Sequence, residues 1–101
     1  MNIKELTDRM NDLVRSKGWY DVDSKRPQTP RNLAISLALE AAEILEHFQF
    51  HENAKDQEEL AGELADVALY LLQLASITGI DLEKAILDKI EINRTREWDQ
   101  E

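Results

Sequence analysis

SLALEAAEILEHFQF, residues 36–50, has the periodicity of an amphipathic helix, yet some of its acids fall on the apolar side. Leu33, Leu37, Glu40 and Ile44 occupy the i, i+4, i+7 and i+11 positions of one stripe, and side chains so spaced share a helix face. Glu43 sits one turn further on. An unpaired carboxylate taken out of water costs several kcal/mol, a large part of the stability of a small domain. Such a helix either turns these acids to a solvated flank or uses them to hold something positive.

Three more helical patterns surround this one. Ile3, Leu6, Met10, Leu13 and Val14 mark one face of a first helix over residues 2–17, ended by Gly18. GWYDVDSKRPQT, residues 18–29, is a loop rich in turn formers. Thr29 and Pro30 are an N-cap and first-turn pair for the second helix, expected to reach residue 51. Asp56 with Glu59 resembles a capping box for a third helix that runs to Thr78 and stops at Gly79. Asp81 then caps a fourth helix through Arg94, beyond which the sequence becomes a polar tail. With 101 residues, three glycines and two prolines, the chain has room for one domain, residues 1–101, and little punctuation for strands. The expectation is an all-α fold, an antiparallel four-helix bundle.

The charge balance narrows the partners. A net charge of −9 lacks the basic face that a duplex-DNA binder needs, although a divalent cation can invert an acidic field locally and admit an anionic substrate. Without cysteine there is no disulfide, thiolate metal site or thiol nucleophile. No basic-then-apolar leader opens the sequence and no apolar run approaches membrane-spanning length. A soluble cytoplasmic protein with no membrane partner is expected.

The third helix repeats the oddity. In ELAGELADVALYLLQLA, residues 59–75, the stripe is Leu60, Leu64, Val67, Leu71 and Leu74. Glu63 and Asp66 border it, about 60° apart around the axis. Two such pairs on adjacent helices could bring four carboxylates together, and a hard divalent cation with oxygen ligands, Mg²⁺ or Mn²⁺, would make that cluster tolerable. The plainer alternative is a solvated flank. Glu46 continues the same step after Glu40 and Glu43, so spacing alone leaves the register open.

The ordered set of motifs goes further. PRNLAISLALEAAEILEHFQF, residues 30–50, and GELADVALYLLQLASITGIDLEKAILDKIEINRTR, residues 62–96, resemble the MazG-like all-α nucleoside triphosphate pyrophosphohydrolases, and within them the compact dCTP pyrophosphatase branch. The family pattern E-x-x-E, spacer, E-x-x-D is matched by Glu40, Glu43, Glu63 and Asp66, and DKIEINRTR matches its K-x-x-x-N-R element. The placing of FQF against the family aromatic sets the register and leaves Glu46 a neighbour.

The resemblance implies hydrolysis of a nucleoside triphosphate to the monophosphate and pyrophosphate. It implies that the four acids hold Mg²⁺, with Mn²⁺ as a substitute, against phosphate oxygens and a polarised water. An acid of the first pair would be the general base. Lys89, Asn93 and Arg96 resemble the family's phosphate contacts, spaced i, i+4 and i+7 on one face of the fourth helix. Their plainer alternative is a solvated last turn whose cations complement the helix dipole. Tyr70 matches a family tyrosine near the nucleotide, and Phe50 stands where the dCTP enzymes carry a base-stacking tryptophan. Trp19 is a second stacking candidate. For all three aromatics, simple packing is the competing reading. Gln28 departs from a histidine of the resembled branch and the 18–29 loop is longer, so a dCTP preference is weakened while the phosphate chemistry is not.

The same residues admit competing readings. His47 and His51, four apart, would suit a di-iron bundle only with Glu-x-x-His spacing, but Ile44 and Phe48 occupy the required positions, so exposed helix-end histidines are expected. A helical interaction module without chemistry should lack an acid or the K-x-x-x-N element, and this chain has all of them. House-cleaning of non-canonical nucleotides differs from a dCTP enzyme only in the base pocket. The thin core of four short helices points to association, and the resemblance implies a homodimer or homotetramer. Ala61, Gly62 and Ala65 offer a face for close helix approach, and Trp98 is a candidate for the interface.

Overall fold

A computed structural model, describing residues 1–96, contains the helices α1 (Ile3–Ser16), α2 (Pro30–Glu46), α3 (Gln57–Ile77) and α4 (Leu82–Thr95), with no strand among the described residues. Each starts on the cap its sequence offers. Asn2, Thr29, Asp56 and Asp81 have extended backbones, and their side-chain oxygens accept from the first-turn N–H groups of Glu5, Asn32, Glu58 with Glu59, and Lys84. Gly18 and Gly79, with φ of +71° and +73°, carry the chain out of α1 and α3 through the left-handed region.

α2 ends at Glu46, five residues short of the expected 51. The His47 and Phe48 N–H groups bond back to the carbonyls of Ile44 and Leu45, which tightens the last turn toward a 3₁₀ form. That turn swings His47 inward, where it is 6% exposed.

α2 and α3 lie antiparallel. Gln28, just before α2, accepts from Gln73 late in α3 (2.7 Å), whereas His47 at the far end meets Glu63 early in α3. α1 packs across α3 through Met10, Val14 and Leu72, with Ile3, Trp19, Tyr20 and Leu82 against them. Buried Asn11 ties this contact together, accepting from the Tyr20 hydroxyl (2.6 Å) and donating to Ser76 Oγ (3.0 Å). α4 packs on α1 and not comparably on α2 or α3.

The all-α class agrees with the sequence, but the expected stripes are only partly covered. On α3, Leu64 and Leu71 are exposed, while Leu72 and Ala75, one position round the helix, face inward. Ile86, Leu87, Ile90 and Ile92 of α4 are open, as are Ile35, Leu39 and Leu45 of α2. Leu6 and Leu13 of α1 are also exposed, unlike their stripe partners Met10 and Val14. A radius of gyration of 16.3 Å, against about 13 Å for a compact domain of this length, records the same openness. A methyl group added at Gly62 would meet nothing within 4 Å, so the small-residue face is not used inside the chain.

By length and composition alone, α3 could cross a membrane, contrary to the expectation that no run approaches that length. It carries Glu63 and Asp66 among its apolar residues and packs against both α1 and α2. Two carboxylates are costly in hydrocarbon, whereas a central helix can use them. Trp98 lies outside the described residues.

Candidate active site

The antiparallel α2–α3 pair decides what the acid spacing means. Running one helix against the reverse of the other brings the turn of Glu40 and Glu43 to the turn of Glu63 and Asp66. All four side chains are close enough for their charges to act together at Glu40. They are not equally covered. Glu40 and Glu63 are half-buried between the helices, while Glu43 and Asp66 stand on the exposed rim. The Glu40 carboxyl is pushed above its ordinary range, first by loss of hydration and then by the negative charges of Glu43, Asp66 and Glu63. Glu40 Oε2 is buried and has no hydrogen-bond partner among the described residues, while a side-chain hydrogen bond with Glu43 also raises the Glu40 pKa. A shielded oxygen facing three like charges is a poor arrangement for a bare protein and a good one for a bound cation. The donor set, all carboxylate oxygen, suits Mg²⁺ or Mn²⁺.

One feature of this end was misread from the sequence. His47 is not an exposed helix-end histidine: its Nε2 lies 2.7 Å from Glu63 Oε2, and its Nδ1 is buried without a partner. Ligand atoms of His47, Glu59 and Glu63 all fall within 4.8 Å of one another, a grouping that could also hold a metal. The available signal was the row itself, since His47 follows Glu40 and Glu43 at i+7 and i+4. His51 remains exposed, as expected.

Two hollows flank the acids. Phe50, 83% exposed, lines one of about 480 Å³ with Glu43, Glu63 and His47. Trp19 and Tyr70 line another of about 330 Å³, together with Gln28 and Gln73. Both volumes lie in the range of small-molecule sites. Tyr70 is one turn beyond Asp66 on α3 and Ser36 one turn before Glu40 on α2, so the second pocket continues the acid-bearing groove. Trp19 and Tyr70 are thus brought together, and Phe50 is placed apart from them.

Two further polar groups of this pocket went unnoticed in the sequence. Gln73 is 4% exposed, and its amide donates to Gln28 Oε1. The Arg26 guanidinium lies 4.6 Å above the Trp19 ring, a cation–π contact. A polar residue inside the run LYLLQLAS was a visible hint for Gln73; nothing local foretold Arg26.

The third predicted group is not assembled within the chain. Lys89 is exposed on α4 and makes no hydrogen bond or ion pair among the described residues. Asn93, half-buried, leaves its Oδ1 unpaired, and Arg96 terminates the helix with an extended backbone. α4 has its main contact with α1 and none comparable with α2 or α3, so among the described residues these side chains are not packed against the acids.

Known proteins resemble this chain in sequence and fold. Rat dCTP pyrophosphatase 1 is 37% identical over 76 residues, covering 66% of this chain and 45% of that protein. The chain therefore spans under half the length of that relative and of its human counterpart. A dATP/dGTP diphosphohydrolase of Salmonella phage PMBT28 is 50% identical over 38 residues, 38% of this chain and 13% of that protein. The crystal structure of a pyrophosphatase from Archaeoglobus fulgidus is 34% identical, with a TM-score of 0.75 over 89% of this chain and 86% of that one. Residues 35–101 match the profile of the MazG-like family, and they include both acid pairs and the K-x-x-x-N-R element. With that match over most of its length and the same fold in a pyrophosphatase, the chain belongs to the MazG-like family.

Proposed function

We propose that this chain is a Mg²⁺-dependent nucleoside triphosphate pyrophosphohydrolase, cleaving a deoxynucleoside triphosphate to its monophosphate and pyrophosphate. The observation that carries this reading is the Glu40 carboxylate, with a buried, unpartnered oxygen among Glu43, Glu63 and Asp66. The four carboxylates would hold the ion, which when bound would supply Lewis-acid stabilisation of phosphate charge and activation of a water. Glu40 or Glu43 accepts the proton of the attacking water. Trp19 and Tyr70 bound the base in the pocket one turn along the groove, and Gln28 and Gln73 present amides to its edge. Relatives named for dCTP and for dATP/dGTP leave cytosine as the first base to test.

Association of copies belongs to the same proposal. The open apolar rows of α2, α3 and α4 need a cover. A second copy laid on α4 would bury them and could bring Lys89, Asn93 and Arg96 to the triphosphate bound by its neighbour.

The test is the purified chain with each of the four dNTPs, with Mg²⁺ or with EDTA, and products separated by ion exchange. Metal-dependent monophosphate and pyrophosphate, lost in Glu63→Gln, are expected. Diphosphate and phosphate would mean that a different bond is cut, and no turnover of standard or modified nucleotides would leave a binding module.

A further inference from the structure

We propose that His47 is a positioning residue for the acid cluster, holding Glu63 through a buried hydrogen bond so that its carboxylate faces the cation site. This rests on the metal-binding role proposed for the four acids. His47 lies on the α2 face that carries Glu40 and Glu43, and the tightened turn after Glu46 drives its ring between the helices. The ring is 6% exposed and the Glu63 side chain 15%, so their 2.7 Å contact is largely shielded from water.

The chemistry fixes the direction of that bond. An ionised carboxylate only accepts, so Nε2 carries the hydrogen and donates to Glu63 Oε2. Nδ1 is buried without a partner, which suits the bare nitrogen of a neutral ring and not a second N–H that would need an acceptor. A neutral donor does what Lys or Arg could not do here: it orients the carboxylate without cancelling the negative charge the cation requires. The carboxylate torsion of a glutamate is otherwise broad. With Oε2 fixed, the remaining lone pairs of Glu63 are presented in one orientation. Outer hydrogen bonds of this kind commonly change metal affinity by about 10–100-fold when removed.

Direct ligation by His47 is the competing arrangement, since Glu59 also brings an oxygen into the group. It would require Nε2 to give up its hydrogen and the bond to Glu63 in favour of the metal. The 2.7 Å contact has the length of a hydrogen bond, and it commits Nε2 to Glu63.

The deciding experiment titrates the full chain with Mn²⁺ by calorimetry, comparing wild type with His47→Leu, His47→Asn and His47→Gln. Circular dichroism melts establish that each is folded. Gln can place an amide N–H near the position of Nε2, whereas Asn stops one methylene short. Affinity should fall about 10–100-fold in the Leu and Asn variants and be retained in Gln. Adding His47→Leu to Glu63→Gln should then cost nothing more. Should His47→Leu fail to fold, the Asn and Gln pair carries the test. Wild-type affinity in the folded Leu or Asn variant overturns the proposal. So does pulsed electron paramagnetic resonance showing an imidazole nitrogen bound directly to Mn²⁺. If Glu43→Gln and Glu63→Gln also leave Mn²⁺ binding untouched, the proposed function fails and His47 with it. Sensitivity to the acids but not to His47 strikes His47 alone.

Discussion

The α2–α3 pair and α4 carry two parts of one family pattern, and the fold treats them differently. Between α2 and α3, antiparallel packing turns two sequence spacings into one cluster, with Glu40 pushed above its normal ionisation range first by loss of hydration and then by the neighbouring acids. α4 has equally regular spacing, yet it lies along α1 with Ile86, Leu87, Ile90 and Ile92 open and Lys89 unpaired among the described residues. Spacing on a helix decides which residues share a face. Whether that face becomes a site depends on what is packed against it, and among the described residues α4 has its main contact with α1 and leaves most of its length uncovered.

Four measurements test this contrast. The largest effect is expected on the packed side: Asp66→Asn should lower pyrophosphate release by upwards of about a hundredfold, with little change in melting temperature. A variant with undiminished turnover would detach the acid cluster from the chemistry.

On the open side, Lys89→Ala should cost about 10–100-fold in kcat/KM, the worth of a charged hydrogen bond to phosphate. The loss should be repaired when the variant is mixed with an acid-dead partner, because each copy then contributes the half the other lacks. Absence of such complementation would mean that α4 serves its own chain after some rearrangement.

Ile90→Glu tests the cover over α4 directly. Burying an isoleucine contributes roughly 1.5–3 kcal/mol, so the dissociation constant of the assembly, read by light scattering over a dilution series, should rise about tenfold or more. Ile90 is 49% exposed, and a wild-type chain that stays monomeric at all concentrations would refute the cover altogether.

The smallest effect is that of pH on the metal-free chain. The folded-state pKa of Glu40 is raised, so the native state binds this proton more tightly than the unfolded chain does. The corresponding stability is present below the ordinary carboxylate range and is lost as pH rises through the raised pKa. Melting temperature in EDTA should therefore fall across that window, and Glu40→Gln should flatten the slope. Saturating Mg²⁺ should remove the slope by favouring the ionised carboxylate.

Much of this molecule was legible in its residues. Thr29, Asp56 and Asp81 each cap the helix expected of them, and Asn2, expected as the first residue of α1, is its cap, because a side-chain acceptor before an apolar-periodic run satisfies first-turn N–H groups in almost any context. Both acid pairs were legible for the same local reason, a helical repeat that places i and i+3 on neighbouring positions. The end of α2 was not. Past Glu46 the turn tightens and His47 meets Glu63, sixteen positions away, a contact that no local propensity encodes. The same holds for the Gln28–Gln73 bond and for the choice of Leu72 and Ala75 over Leu71 as the inner face of α3.

The helices, most of their caps and the i, i+3 pairing of the acids follow from hydrogen bonds and spacings within a few residues, whereas packing set which of those acids are covered. Tertiary structure alone decided which apolar stripes are covered, which histidine is buried, and that Trp19 shares a pocket with Tyr70 and not with Phe50. Those outcomes depend on how whole helices lie against one another. A helix with more than one apolar face can satisfy its local preferences equally well in several orientations, and only the neighbours that exclude water from one face choose among them.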